Sequence, residues 1–325
     1  MKAIVYEQYG SPEVLKLREV SKPEPKPNEV LIRAHAASVT SGDCNIRGFT
    51  YIPPGFGIIP RLMFCYRTPR KQILGTEISG VIEEVGTAVN LFKPGDEVFG
   101  IGSVYLGAYA EYVCRPESSA LILKPSTVSF EEAASLSFGG LTALYFLKKA
   151  GIKPGQSILI RGASGGVGIF ATQLARHFGA EVTGVCSRNK AELVRSLGAS
   201  QVIDYESHEF TSQSQKYDII MDTVVGSNSF CHMRNFLNPG GRYLAVAGGP
   251  REMLHMAVTS VFGSKKVVFG SPAERKAELE FLADLVAKNH LKVVVDKVFK
   301  LEDTKNAHLY FETGNKMGQV VIKIR

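Results

Sequence analysis

Six residues, Ala163-Ser164-Gly165-Gly166-Val167-Gly168, join the run ILIRG to IFATQLAR. They depart from G-x-G-x-x-G only by alanine at the first glycine. A glycine at Gly165 lets the backbone approach a pyrophosphate, and one at Gly168 lets a helix pack closely on a strand. The amino end of that helix adds unpaired N–H groups and the positive end of its dipole. The chemistry these residues predict is dinucleotide binding; a purely structural glycine turn is the competing reading.

A second group bears on which dinucleotide. NAD sites place an acid about 20 residues beyond the loop, where it accepts from the ribose 2′-hydroxyl. Here Ser187 stands 19 residues after Gly168, in the run VCSRNK, and no acid lies between 182 and 191. A carboxylate would repel a 2′-phosphate, whereas Ser187 and Arg188 donate to one and Lys190 adds charge. NADPH is therefore expected over NADH.

Such a loop works only between a strand and a helix, and its surroundings provide both. SILIRGA (157–163), EVTGVCS, QVID, YDIIMD, RYLAVAG and KKVVFG (265–270) read as short apolar strands, with GVGIFATQLARHFG and NKAELVRSLG as helices between them. That alternation predicts βαβ units and a doubly wound parallel sheet. Before it, SFEEAASLSFGGLTALYFLKKAG (129–151) reads as one helix, with Ser129 and Glu132 as a capping box. The first 120 residues read instead as short β-runs broken by turns, a β-barrel or sandwich. Residues 48–71 hold four prolines and many aromatics and read as a long loop. The tail offers a helix (274–289) and β-rich segments that resemble the first domain in composition.

The totals limit the alternatives. A chain of 325 residues, 45% hydrophobic and 21% charged, suits two domains. Its five cysteines (Cys44, Cys65, Cys114, Cys186, Cys231) and seven histidines are dispersed, without CxxC or HxxxH spacing, so no protein-held metal is expected. The formal charge of +7 comes without a nucleic-acid motif. No apolar run of membrane-spanning length and no secretory leader is read, and a cytoplasmic protein is the expectation.

The stretches EVLIRAHAASVTSGD, ILGTEISGVIEEVG, KPGDEVFG, GLTALYFL, GQSILIRGASGGVGIFATQLAR and GNKMGQVVIKIR together resemble the zinc-independent quinone oxidoreductase branch of the medium-chain dehydrogenase/reductase superfamily, the branch that includes zeta-crystallin. The resemblance covers nearly the whole chain. It implies an α/β protein with a GroES-like β-barrel catalytic domain, residues 1–123 completed by 272–325, and a Rossmann domain of residues 124–271, with the cofactor in the cleft. In zinc members three ligands stand at places that here hold Thr40, Thr76 and Phe138, none of them a useful zinc ligand. Without that Lewis acid, the implied chemistry is hydride transfer from NADPH to a quinone or α,β-unsaturated carbonyl, acceptors that spread the charge themselves.

The resemblance also assigns places by position. Thr40 and Asp43 belong to the catalytic site, and Tyr51 in the aromatic loop is a further candidate donor. Thr142 lies near the cofactor phosphates and Tyr205 beside the 2′-phosphate. The turn from Asp222 to Gly226, with Ala247 and Gly248, lines the ribose and nicotinamide. Glu77 reads either as a proton relay or as a buried acid that holds the barrel together. Competing functions are an enoyl-thioester reductase, a nucleotide-binding structural or regulatory protein, and a zinc alcohol dehydrogenase. KKVVFG is an apolar last strand with an open edge, and the resemblance implies a homodimer paired there.

Overall fold

The computed structural model describes residues 1–50, 68–207, 215–224 and 229–325. Within them the chain divides into two units, one of Met1–Phe138, Glu274–Ala287 and Val293–Arg325, the other of Gly139–Ala273 with Lys288–Lys292. Among the described residues no helix is long and apolar enough to cross a membrane.

The first unit opens with an antiparallel pair, β1 (Lys2–Val5) and β2 (Lys16–Glu19). Its main sheet has seven strands: β3 (Glu29–Val39), β4 (Glu77–Val85), β5 (Glu97–Ile101), β6 (Tyr112–Pro116), β7 (Ala120–Leu123), β14 (Val295–Lys300) and β15 (Gln319–Lys323). The order is β14-β15-β3-β4-β5-β7, with β6 also on β3. β15 runs antiparallel to β3, Val320 opposite Val39, so residues from both ends of the chain build one sheet. Alternation puts Val30, Ile32, Ile78, Ile82, Val98, Val320 and Ile322 into a common core. Helix α1 (Ser41–Gly48) follows β3 directly.

The expected helix over 129–151 is two helices. Ser129 and Glu132 do form a capping box, but it starts only the single turn α2 (Phe130–Ala133). The Ser135 hydroxyl donates back to the Glu131 and Glu132 carbonyls at 2.9 and 3.1 Å, and a second helix, α3 (Ser137–Ala150), starts beyond. Because α2 packs on β3 and β4, the first unit keeps the chain to Phe138, whereas the sequence reading places the boundary at 123.

The second unit is a six-stranded sheet of β8 (Ser157–Arg161), β9 (Glu181–Cys186), β10 (Gln201–Asp204), β11 (Tyr217–Asp222), β12 (Leu237–Ala245) and β13 (Lys266–Val268). The order is β10-β9-β8-β11-β12-β13, and every pairing is parallel. This is the doubly wound order in which strand succession reverses between the first and fourth strands, here β8 and β11. Its helices include α4 (Gly168–His177), α5 (Ala191–Ser196), α6 (Ser229–Met233) and α7 (Pro250–Val261). The tail adds α8 (Lys276–Ala287) and a helix the sequence reading does not contain, α9 (Thr304–Glu312).

Candidate functional sites in the two units

In the parallel sheet all C-terminal strand ends share one edge, and the glycine loop lies there after β8. The amides of Gly162 and Ala163 both donate to the Val185 carbonyl at 3.1 Å, and Gly162 turns the chain with φ of 74°. A Cβ on Gly168 would sit 2.1 Å from the Gly162 carbonyl oxygen, so helix and loop touch there. A Cβ on Gly139 of α3 would sit 2.4 Å from the Gly166 carbonyl oxygen. Gly165 differs: among the described residues an added Cβ would meet only the Gly162 carbonyl oxygen, at 3.3 Å. Its outer side is open to a ligand. The N-cap of α4, Val167, makes no side-chain cap hydrogen bond, and the Ile169 amide of the first turn donates to the Gly165 carbonyl at 3.0 Å. This cradle fits a pyrophosphate.

Around it stand the other predicted contacts. Ala163 and Ser164 are buried, while Gly165, Gly166 and Val167 are half-buried. Thr142 is buried on α3, three residues beyond Gly139. Ala247 and Gly248 follow β12 at the same sheet edge and are half-buried. Of the turn from Asp222 to Gly226, Asp222, Thr223 and Val224 are described and the rest lies outside the described residues.

The residues expected on the adenosine side lie where β9 ends. Ser187 precedes a turn of 3₁₀ helix, Arg188–Lys190, and its hydroxyl donates to Asn189 Oδ1 at 2.7 Å. Ser187 and Lys190 are buried and Arg188 is exposed. β10 lies beside β9, and the Tyr205 amide donates to the Cys186 carbonyl at 3.2 Å. Tyr205 therefore joins Ser187 and Arg188 at one strand end. An acid does stand on the neighbouring strand: Asp204, opposite Cys186, whose Oδ1 accepts from the Glu206 amide at 3.0 Å.

In the first unit, the predicted catalytic residues form a buried polar cluster at the end of β3. Thr40 caps α1: its hydroxyl accepts from the Asp43 amide at 3.1 Å, and Asp43 Oδ2 accepts from the Thr40 amide at 3.0 Å. The Thr40 hydroxyl also donates to Asp43 Oδ2 at 2.7 Å, and Thr76 donates to the same oxygen at 3.4 Å. A Cβ on Gly42 would lie 3.3 Å from Thr40 Oγ1 and 3.6 Å from the Phe138 ring. Thr40, Thr76 and Phe138 thus converge on one locality. Burial pushes the Asp43 carboxyl up to about 6, against the lowering effect of the Thr40 hydrogen bonds. Its other oxygen, Oδ1, is buried and has no hydrogen-bond partner among the described residues.

Glu77 begins β4 beside this cluster. Its carboxyl accepts from the Ser38 hydroxyl and, at 2.5 Å, from the Phe138 amide in the first turn of α3. Burial pushes it up to about 8. Glu77 is thus a helix-terminus anchor as well as a buried acid. The Tyr109 hydroxyl donates to the Ser38 carbonyl at 3.1 Å.

Several residues in this region escape the sequence reading. Arg47 on α1 donates to the Gly10 carbonyl at 3.1 Å, to His308 Nδ1 at 2.8 Å and to the Glu312 carboxylate. Burial, with Arg47 adjacent, lowers His308 to about 3, so the ring is neutral and accepts through Nδ1. His308 meets Tyr109 edge to face at 5.7 Å between centroids. The network holds α1, and therefore Thr40 and Asp43, from behind. It depends on α9, the helix whose short pattern NAHLYFE lies among β-like segments.

Thr40, Thr76 and Phe138 do not make a zinc donor set. Cys44 lies nearby, 3.5 Å from His308 Nδ1, but burial raises its thiol well above the usual range and keeps it protonated. Among the described residues no group of three His, Cys, Asp or Glu side chains is placed to hold a metal ion. Tyr51 lies outside the described residues.

Comparison with known proteins agrees with this architecture. A family described as the alcohol dehydrogenase GroES-like domain matches residues 26–126, and one described as zinc-binding dehydrogenase matches residues 197–322. The chain is 32% identical to a chloroplast envelope quinone oxidoreductase homolog of Arabidopsis thaliana, covering 99% of this chain and 98% of that protein. It is 34% identical to the 2-methylene-furan-3-one reductase of Solanum lycopersicum, covering 99% and 79%. Among solved structures, the Escherichia coli quinone oxidoreductase complexed with NADPH superposes with a TM-score of 0.82 at 27% identity, covering 100% of both chains. The first unit is GroES-like and the second a Rossmann sheet.

Proposed function

The chain belongs to the quinone oxidoreductases of the medium-chain dehydrogenase/reductase superfamily, and on that premise we propose that it is a zinc-independent, NADPH-dependent reductase of quinones or α,β-unsaturated carbonyls. It is an NAD(P)H-dependent oxidoreductase acting on a small molecule. The observation that carries the finer reading is the Thr40–Asp43–Thr76 cluster, in which Thr40 and Thr76 hold two of the places where the resemblance puts zinc ligands that would polarise a simple alcohol or aldehyde. Hydroxyl donors suit an acceptor that delocalises its own charge. The similarity to a furanone reductase, whose name indicates a conjugated ketone, supports the same class.

When bound, the cofactor supplies the hydride. The glycine loop seats its pyrophosphate, with Thr142 near the phosphates. Ser187, Arg188, Lys190 and Tyr205 hold the 2′-phosphate, and Ala247 and Gly248 offer backbone to the ribose and nicotinamide. Thr40 presents its hydroxyl to the developing oxyanion of the acceptor. Asp43 sets that hydroxyl: when its carboxyl is protonated, Oδ2–H donates to Thr40 Oγ1 and frees the Thr40 proton to point at the acceptor. Turnover of NADPH with a quinone or an enone by chelator-treated protein tests this reading.

We further propose a homodimer through the β13 edge. β13 is the last strand of its sheet, and α7 beside it exposes Leu254, Val258 and Val261, with Phe262 just beyond. Light scattering at micromolar concentration should give twice the 35.4 kDa chain mass; a monomeric mass there contradicts the proposal.

A further inference from the structure

Two segments rim the centre of the parallel sheet at its C-terminal edge: the glycine loop after β8 and Thr223 and Val224 after β11. These strands are neighbours, and strand succession reverses between them, which is where open α/β sheets bind ligands. Arg161 is the last residue of β8 and Asp222 the last of β11, and the two stand opposite each other in register.

They are joined more closely than pairing requires. Arg161 Nη1 donates to Asp222 Oδ2 at 2.6 Å, and the Tyr243 hydroxyl donates to the same oxygen at 2.6 Å. Asp222 Oδ1 accepts from the Val224 amide at 3.1 Å, which folds the turn back on its own side chain. The Thr223 amide and hydroxyl donate to the Arg161 carbonyl at 3.2 and 2.8 Å. A Cβ on Gly162 would lie 2.5 Å from Thr223 Oγ1 and 3.2 Å from a Val224 methyl. The first residue of the glycine loop therefore sits against the turn with no room for a side chain.

The charges explain why an arginine stands here. The Asp222 carboxylate is 2% exposed, and a buried anion at the rim of a polyanion site is tolerable only when paired. Arg161, whose side chain is 20% exposed, supplies the pairing charge from the loop side. We infer that Arg161 is a cofactor-positioning residue: through Asp222 it locks Thr223 and Val224, the residues that follow β11, to the glycine loop, so that the start of the segment proposed to receive the nicotinamide–ribose half is set by the element that holds the pyrophosphate. This rests on the dinucleotide reading and adds to it a residue outside the glycine motif.

The test is a set of binding titrations with NADPH, NADH and adenosine 2′,5′-bisphosphate, which carries only the adenine half. Wild-type protein is titrated first; if it binds no dinucleotide, the functional reading fails and this inference with it. Arg161→Met should weaken NADPH and NADH alike, by about tenfold, as expected for loss of one charged hydrogen bond, with the bisphosphate unchanged. Arg161→Lys should recover most of the loss. Tyr243→Phe keeps the ion pair and serves if Arg161→Met does not fold; it should give a smaller loss in the same direction, again sparing the bisphosphate. A folded variant that binds both dinucleotides like wild type, or one in which the bisphosphate weakens in step with them, overturns the inference.

Discussion

Arg188→Glu should raise the dissociation constant for NADPH by about 100- to 1,000-fold while leaving NADH within about threefold, since a hydrogen bond to a charged group contributes roughly 1.5–3 kcal/mol and the new carboxylate adds repulsion. The residue is well suited to the experiment. Arg188 is exposed on a turn, so the substitution does not disturb a core. Its neighbours Ser187 and Lys190 are buried at the same strand end and are left unchanged by the substitution. Asp204 on the adjacent strand already places one acid nearby, and a second at 188 would make a 2′-phosphate harder still to accommodate. Parallel fluorescence titrations decide it. Equal changes for the two cofactors would remove the 2′-phosphate role from Arg188.

The second large effect concerns the acceptor. Thr40→Val should lower kcat/KM by about 100-fold, the scale of losing one donor to a developing oxyanion, without altering NADPH affinity. Valine also removes the N-cap of α1, a cost of about 1–2 kcal/mol, so the comparison belongs well below the melting temperature. Thr40→Ser keeps both the cap and the donor and should stay within a few-fold of wild type. Asp43 adds a sign that a merely structural role does not produce. Its folded-state value near 6 lies above the ordinary carboxylate range, so the protonated form that frees the Thr40 proton is lost as pH rises through 6. Wild-type kcat/KM should therefore fall on that limb. Asp43→Asn donates to Thr40 at every pH and should flatten it. A folded Thr40→Val enzyme with wild-type kcat/KM would show that the hydroxyl serves only as a cap.

The architecture of the second unit is legible in local physical signals. The glycine loop and the strand–helix alternation dictate the parallel sheet, because period and turn residues act within a few positions. The missing acid near Ser187 was visible for the same reason. What the sequence hid was one local side-chain bond and several long-range contacts. Ser135 looks like an ordinary helix residue, yet its hydroxyl bonds back to the preceding turn and the helix divides there. His308 and Glu312 gain meaning only because α9 carries them to Arg47, 261 and 265 residues earlier in the chain. Arg161 reads as one cation in an apolar strand until β11 places Asp222 beside it. Glu77 was legible as a buried acid, but its grip on the start of α3 needed the fold.

The most direct measurement follows the near-ultraviolet absorbance of NADPH in the presence of EDTA, with an ortho-quinone and a simple enone offered in parallel. Rapid, chelator-resistant consumption of NADPH with at least one of them is the predicted result, and the ratio of the two rates assigns quinone or alkene chemistry. Tight NADPH binding with neither acceptor turned over, or turnover that appears only when zinc is restored, would contradict a zinc-independent reductase of conjugated acceptors.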